Sequence, residues 1–224
     1  MPPQRISTHV AITPEQYHRM AASEDNPWDV LLIERLLAVS HDRPSGGRLL
    51  DIGTGTGVVL LKLAAVPRFA DVELIGSDYF EDMVDQARQR VIEAGLADRI
   101  RVDREDAHHL TYPDQWATWV ISRSTLHHWA EPDRALREIF RVLAPGGAAL
   151  IHDIRRDPPE AAIARFNQMR GATGVAPSLL ADKYTPEEAL RMCEEAGIAS
   201  SAQVFAPDDG PSALGYEILI EKKR

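Results

Sequence analysis

The chain has one cysteine and no long apolar run. Because Cys193 is the single cysteine among 224 residues, an internal disulfide is excluded. No apolar run reaches the roughly 20 residues that a membrane-spanning helix needs. The first residues also lack the apolar stretch that is typical of a signal peptide. We therefore expect a cytoplasmic protein with no membrane partner.

Positive charge is also scarce. The chain has 25 Lys and Arg against 34 Asp and Glu, a formal net charge of −9, and its one basic cluster is the tail Lys222–Arg224. Because an acidic surface repels the phosphate backbone, we expect no nucleic-acid partner. Apolar residues make up 44% of the chain and charged residues 26%. Such a composition is typical of a folded globular domain.

Strand and helix patterns alternate after a linker rich in Pro, Gly and Ser at 43–47. The predicted strands are 48–52, 72–77, 100–102, 118–122 and 148–152. The predicted helices between them are 57–65, 81–94 and 132–143, the last one ended by Gly146 and Gly147. Alternation of this kind predicts a parallel sheet with helices on both faces.

The end of the chain has a different pattern. Residues 200–206 and 214–221 are predicted strands, separated by a Pro/Gly link too short for a crossover helix. They should therefore form an antiparallel hairpin, which brings the sheet to seven strands. The predicted organisation is a helical N-terminal cover (1–47) and a main domain (48–224) that carries an insertion (155–184).

The most informative run is 49–57, Leu-Leu-Asp-Ile-Gly-Thr-Gly-Thr-Gly. Glycine permits tight turns and close approach of a ligand to the backbone. A strand, a glycine turn and a helix in that order are typical of nucleotide-like cofactor sites. A dinucleotide site has Gly-x-Gly-x-x-Gly, but here the third glycine comes one residue early, at Gly57. A nicotinamide oxidoreductase is therefore a disfavoured alternative.

Three further features accompany this run. Asp78 ends the second strand, Asp106 and Ala107 follow the third, and Leu-Ala-Pro-Gly-Gly occupies 143–147. Together with the glycine run, they resemble class I S-adenosylmethionine-dependent methyltransferases, in the group that includes the ubiquinone/menaquinone methyltransferases. The resemblance covers about residues 48–154. It implies an α/β, Rossmann-like fold that binds S-adenosylmethionine and releases S-adenosylhomocysteine.

The resemblance also implies a set of cofactor contacts. The turn of Gly53, Thr54, Gly55 and Gly57 would lie under the methionyl part, with Asp51 near the amino group and Ser122 and Arg123 lining the transfer point. Asp78 would bind the ribose hydroxyls, Tyr79 and Met83 would sandwich the adenine, and Asp106 and Ala107 would bind its edge. Asp78 has a structural alternative as the cap of the helix 81–94.

Candidates for the acceptor site follow the fourth and fifth strands. We predict His127 and His128 as catalytic residues, and the predicted substrate-binding residues are Tyr17, Trp129, Asp153 and Arg155. Plainer interpretations compete: the histidines could bond to their own loop, Asp153 could cap a turn, and Arg155-Arg156 could be a solvated basic pair. His108 and His109 are predicted to lie on a solvated turn. No His-x-x-x-His spacing occurs, so we expect no metal.

These features predict a methyltransferase that acts on a small-molecule acceptor by in-line displacement, at O, N, S or C. An alternative keeps the cofactor without methyl transfer, as a binding module or in a cyclisation, because fold and cofactor do not fix the chemistry. The sequence leaves the acceptor and the oligomeric state open.

Overall fold

The computed structural model describes residues 27–41, 46–172, 174 and 176–224. Its helices are α1 (Pro27–Ser40), α2 (Val58–Ala64), α3 (Glu81–Glu93), α4 (Pro132–Val142), α5 (Glu160–Ala172) and α6 (Pro186–Glu195). Its strands are β1 (Gly47–Ile52), β2 (Val72–Asp78), β3 (Ile100–Arg104), β4 (Ala117–Arg123), β5 (Leu143–Ile154), β6 (Ala202–Phe205) and β7 (Gly215–Glu221). No helix in these ranges is both long and apolar enough to cross a bilayer.

The strands form one seven-stranded sheet in the order β3-β2-β1-β4-β5-β7-β6. Strands β1 to β5 are parallel, whereas β7 runs antiparallel to both β5 and β6. This confirms the predicted α/β, Rossmann-like sheet with a closing antiparallel pair. The strand order reverses between β1 and β4, and in open α/β sheets the crevice at such a reversal is where ligands bind.

Helices cover both faces of the sheet, as predicted. Along β1 and β4 successive side chains alternate, so that Leu50 and Val120 join the apolar cluster under α4 and α6. Leu49 and Trp119 join the opposite cluster under α1, α2 and α3. Burial on both faces explains why these strands are almost entirely apolar. The ends of the strands are therefore the places where polar side chains can gather.

One predicted boundary is wrong. Helix α4 ends at Val142, and Leu143 already belongs to β5. Gly146 and Gly147 do not end the helix but form a bulge in β5, where the Gly146 N–H donates to the backbone of the C-terminal tail at 2.7 Å. A Cβ at Gly147 would lie 2.7 Å from the Thr118 carbonyl oxygen. These glycines are therefore required by strand packing.

Helix α1 is the described part of the predicted N-terminal cover. Its Leu32 and Leu36 are buried in the same apolar cluster as β1 and β2. Its Arg35 makes two short contacts with Glu217 on β7, from Nε to Oε2 at 2.9 Å and from the terminal nitrogen to Oε1 at 2.7 Å. The helix is thus held by apolar packing and by charge. The division into 1–47 and 48–224 stays a prediction.

Glu217 joins α1 to two strands. It pairs in register with His152 on β5, whose Nε2 lies 2.9 Å from Glu217 Oε2. Burial alone would raise the pKa of Glu217, but the hydrogen bonds from His152 and Arg35 outweigh it and lower the pKa to about 2. Ionised Glu217 therefore contributes to stability.

We expect Glu217→Gln to lower the free energy of unfolding by about 2 kcal/mol, measured by urea unfolding at pH 7. Loss of a buried charge partner costs about 3–5 kcal/mol, and we discount this because Arg35 is 42% exposed. The wild-type contribution should be full above the unfolded-state pKa of 4.5 and decline as the pH falls toward 2. Glu221→Gln, at an exposed position on the same strand, is the control. Equal unfolding midpoints for Glu217→Gln and wild type would contradict this role.

Candidate functional site

The glycine turn after β1 is built from left-handed backbone. The φ angles of Gly53, Gly55 and Gly57 are 72°, 56° and 79°, values that residues with a Cβ rarely adopt. The backbone N–H groups of Gly53 and Thr54 both donate to the Ser77 carbonyl, at 2.8 and 2.9 Å. These bonds fix the turn against β2. The turn therefore lies at the carboxyl edge of the sheet, beside the reversal of strand order.

Asp51 lies directly under this turn. Its side chain is buried, and its Oδ2 accepts a hydrogen bond from the Thr54 hydroxyl at 2.8 Å. Burial raises the pKa of Asp51 to about 7, in spite of the Thr54 bond and the nearby Arg123 charge. Asp78 and Asp29 add to this rise, because they bring negative charge close to Asp51. A cation placed here would therefore be stabilised.

Asp29, on the first turn of α1, is a buried acid that the sequence did not single out. Its Oδ2 lies 2.9 Å from Lys62 Nζ and its Oδ1 lies 3.0 Å from Arg123 Nε. A carboxylate in a first helical turn ordinarily complements the helix dipole, so its sequence position gives no sign of burial. The predicted cofactor residue Arg123 therefore points its guanidinium toward α1.

Asp78 closes the turn from the side of β2. Its Oδ2 accepts from the Gly55 N–H at 2.9 Å and its Oδ1 from the Phe80 N–H at 3.1 Å. Burial raises the pKa of Asp78, although these bonds oppose the rise. The structural alternative for Asp78 is a cap of the helix that follows it. The N-cap residue of α3 is Phe80, whose side chain makes no capping bond, and at this helix end Asp78 bonds only the Phe80 backbone N–H. Each carboxylate oxygen has a second lone pair that can accept from a hydroxyl.

The predicted adenine-binding residues follow β2 and β3. Tyr79 and Met83 are half-buried, and the Tyr79 ring meets the Phe80 ring edge-on with centroids 5.4 Å apart. Ala107, which follows β3 in the sequence, is buried. Tyr79 and Met83 follow β2 and Ala107 follows β3. Because β2 and β3 pair in parallel, these residues come after neighbouring strand ends.

Asp106 is held by the residue two positions later. Its Oδ1 lies 2.9 Å from the backbone nitrogen of His108 and 2.6 Å from the ring Nδ1 of His108. The expected solvated turn is therefore wrong for His108, which is only 2% exposed, whereas His109 is exposed. The sequence has no signal that separates His108 from His109, because the difference in their burial arises from a contact with a distant loop.

His127 and Asp153 form a buried pair at the ends of β4 and β5. His127 Nδ1 lies 2.8 Å from Asp153 Oδ1, and the His127 backbone N–H donates to Asp153 Oδ2 at 2.9 Å. Burial acts to raise the pKa of Asp153, but its contacts with His127 outweigh this and the pKa is lowered. The ionised carboxylate therefore accepts the Nδ1 proton, so Nε2 is the ring nitrogen of His127 that is left for an acceptor.

His128 stacks obliquely on this pair, with its ring centroid 3.9 Å from that of His127. Burial, and then the charge on His127, lowers the pKa of His128 to about 3. His128 is therefore neutral at physiological pH. Across the described ranges, no three His, Cys, Asp or Glu side chains are arranged to hold a metal ion.

The remaining predicted site residues have other surroundings. Trp129 is buried in the apolar cluster under α4, and the Ser122 hydroxyl donates to the backbone of β1 at 2.9 Å. Arg155 is not a solvated residue: it is buried and bonds Asp157 at 3.0 Å. Its charge is satisfied within the chain, which explains the difference from the expected solvated pair. Tyr17 lies outside the described residues.

The chemistry of these groups fits a ligand with a cationic amino-acid end and a sugar. Two buried carboxylates, Asp51 and Asp78, lie on adjacent strands on either side of the left-handed turn. Burial raises the pKa of Asp51, and an ammonium group beside it would stabilise its ionised form. S-adenosylmethionine carries such a group, so the residues present fit it.

Comparison with known proteins gives the family. Residues 50–151 match the family profile described as "Methyltransferase domain". A phosphatidylethanolamine N-methyltransferase from Cereibacter sphaeroides is 32% identical over 144 residues, which cover 61% of this chain and 68% of that protein. A demethylmenaquinone methyltransferase from Deinococcus radiodurans is 33% identical over 142 residues, covering 58% of this chain and 56% of that protein.

The fold is shared with solved structures. An S-adenosylmethionine-dependent methyltransferase from Methanococcus maripaludis superposes with a TM-score of 0.71 at 23% identity, covering 94% of this chain and 92% of the other. The chain spans only 43% and 41% of the length of two other curated relatives. The cofactor of this family is S-adenosylmethionine, which sets the nicotinamide alternative aside. The chain belongs to the class I S-adenosylmethionine-dependent methyltransferases.

Proposed function

We propose that this protein methylates a hydroxyl group of a small-molecule acceptor. The observation that carries the proposal is the buried His127–Asp153 pair at the ends of β4 and β5, where β4 is the neighbour of β1 and its glycine turn. When bound, S-adenosylmethionine supplies an electrophilic methyl group, and the electron pair of the breaking carbon–sulfur bond stays on the neutral thioether. The protein must then align the acceptor, exclude water and remove a proton.

Three carboxylates at the ends of neighbouring strands would hold the cofactor. Asp51 would bind its amino group, Asp78 its ribose hydroxyls and Asp106 its adenine amino group. Each is a carboxylate at the carboxyl end of a different parallel strand, which supports their action on one extended ligand. Arg123 would hold Asp29, and through it α1, against this end of the crevice.

His127 would act as the general base. Asp153 holds the Nδ1 proton, so Nε2 can accept the proton of the acceptor hydroxyl as its oxygen forms the new bond to carbon. A base helps most when the nucleophile is protonated and weakly acidic, which favours a hydroxyl over a thiolate. Neutral His128, beside His127, would orient the acceptor by a hydrogen bond.

The named relatives do not fix the acceptor. Their names refer to a phospholipid amine and to a menaquinone precursor, two chemically different acceptors. The proposal therefore depends on the histidine–aspartate pair of this chain. A small acceptor is supported by these names, since both refer to small molecules and neither to a protein or a nucleic acid.

The test is transfer of tritium from methyl-labelled S-adenosylmethionine to a panel of phenols, alcohols, thiols and amines, with S-adenosylhomocysteine measured in parallel. We expect labelled product with hydroxyl acceptors and one equivalent of S-adenosylhomocysteine per methyl group transferred. Labelling of amines or thiols alone would overturn the choice of hydroxyl. Binding of S-adenosylmethionine without any turnover would support the alternative of a binding module or a cyclisation aid.

The affinity for S-adenosylhomocysteine should depend on pH through Asp51. Asp51 must be ionised to hold the amino group, and its pKa in the free protein is about 7. Because Asp51 must lose one proton before it can bind the amino group, we expect the affinity to be about tenfold lower at pH 6 than at pH 8, measured by calorimetry. Asp51→Asn should bind more weakly at pH 8 and show a flat profile. The exposed Asp85→Asn is the control. A flat wild-type profile would exclude Asp51 as the amino-group partner.

A further inference from the structure

His108 is a buried histidine with both ring nitrogens engaged. It lies on the loop after β3 and is 2% exposed, next to the exposed His109. Its Nε2 lies 3.2 Å from the backbone nitrogen of Glu131, which has a proton to donate. Nε2 must therefore be the unprotonated nitrogen, and the ring proton is on Nδ1.

The Nδ1 proton is donated to Asp106. The Nδ1 to Oδ1 distance is 2.6 Å, and the His108 backbone N–H bonds the same oxygen at 2.9 Å. Two donors from one residue hold this oxygen of Asp106 in place and restrict rotation of the carboxylate. Neither of them uses Oδ2, and the Asp106 side chain remains 25% exposed. The free carboxylate would otherwise rotate about its side-chain torsions, and ordering it costs entropy.

The other end of His108 reaches the loop that carries the acceptor residues. Glu131 immediately precedes α4, and its carbonyl accepts the first helical N–H groups, from Arg134 and Ala135. His128 and His127 lie three and four positions earlier, in a short 3-10 turn. The His108 ring therefore connects the loop after β3 with the loop after β4.

We propose that His108 is a positioning residue that orients Asp106 for the adenine amino group and fastens that loop to the loop of His127. This rests on the proposed function, in which Asp106 binds the adenine. The ring acts in its neutral form with the proton on Nδ1. It touches neither the cofactor nor the acceptor, and it acts through Asp106 at one end and Glu131 at the other.

Two substitutions separate the two halves of this role. In His108→Asn, the amide nitrogen can take the place of Nδ1 and keep the bond to Asp106, while the acceptor for Glu131 is lost. In His108→Gln, the amide oxygen can take the place of Nε2 and keep the bond from Glu131, while the donor to Asp106 is lost. His109→Gln is the matched control on the adjacent, exposed histidine.

The first measurement is base discrimination by calorimetry. S-inosylhomocysteine lacks the adenine amino group, so wild type should bind it about tenfold or more weakly than S-adenosylhomocysteine, as for loss of a hydrogen bond to a charged group. We expect His108→Gln to reduce this ratio at least threefold. His108→Asn and His109→Gln should keep it. A general loss of stability would weaken both ligands alike and leave the ratio unchanged.

The second measurement is hydrogen exchange of the Glu131 amide by NMR. Wild type and His108→Gln should protect this amide, and His108→Asn should exchange it at least tenfold faster. Rapid exchange in folded wild type would overturn the connection between the loops.

The outcomes distinguish this inference from the function it rests on. If wild type does not discriminate between the two ligands, the assignment of Asp106 to the adenine fails, and the inference fails with it. If wild type discriminates and His108→Gln discriminates equally well, His108 does not position Asp106, while the proposed function stands.

Discussion

Gly55→Val is expected to lose at least a hundredfold in affinity for S-adenosylhomocysteine while keeping its fold. The Gly55 backbone has φ = 56°, and its N–H donates to Asp78 Oδ2 at 2.9 Å. A branched side chain at this position would occupy the space over the turn and would strain the backbone by about 1–3 kcal/mol. Both effects act on the groups that are proposed to contact the cofactor.

The matched control for this variant is Gly95→Val. Gly95 follows α3 with φ = 68° and has no other atom within 4 Å of the place a Cβ would take. It therefore carries the backbone strain without any obstruction of the turn. Calorimetry should show unchanged binding for Gly95→Val, and circular dichroism should show folded protein for both variants. Retained affinity in Gly55→Val would mean that the turn is not the cofactor cradle.

Asp153→Asn is expected to lower kcat for methyl transfer to a hydroxyl acceptor by about a thousandfold. An asparagine presents either an amide oxygen or an N–H to His127 Nδ1, and the N–H would stabilise the tautomer with its proton on Nε2. That tautomer cannot accept the acceptor proton. Because Asp153 lies at the end of β5 and not in the glycine turn, affinity for S-adenosylhomocysteine should change by less than threefold.

Kinetics at saturating S-adenosylmethionine would measure this effect. Asp208→Asn is the control, because Asp208 is a 91% exposed carboxylate that contacts Arg155 at 3.5 Å. It should leave kcat within twofold of wild type. A kcat for Asp153→Asn close to that of wild type would reduce the His127–Asp153 pair to a structural contact. The acceptor proton would then have to leave by another route.

The sheet could be predicted because its signals are local. Apolar runs mark the buried strands, and glycines mark the turn where β1 meets α2. The roles of Asp51 and Asp78 are implied by the resemblance to the methyltransferases, and both residues stand at strand ends that the local pattern predicts. Each of these inferences needs only the few residues around a strand end.

The remaining features depend on contacts between distant segments. Asp29 is buried because Lys62 and Arg123 meet it, and neither is near it in sequence. His108 is buried and His109 is exposed, because the ring of His108 accepts a hydrogen bond from the backbone N–H of Glu131. The glycines at 146–147 were expected to end a helix, but pairing with the C-terminal tail places them in β5.

The ion pairs of Asp29 have a consequence for how such enzymes could be re-engineered. They fix the start of α1 within 3.0 Å of Arg123, at the mouth of the crevice. Any segment grafted ahead of α1 would thus be joined to the protein at a fixed point, close to the proposed acceptor site. We therefore expect that exchanging this segment between homologues changes acceptor preference, provided that the residue at position 29 remains acidic.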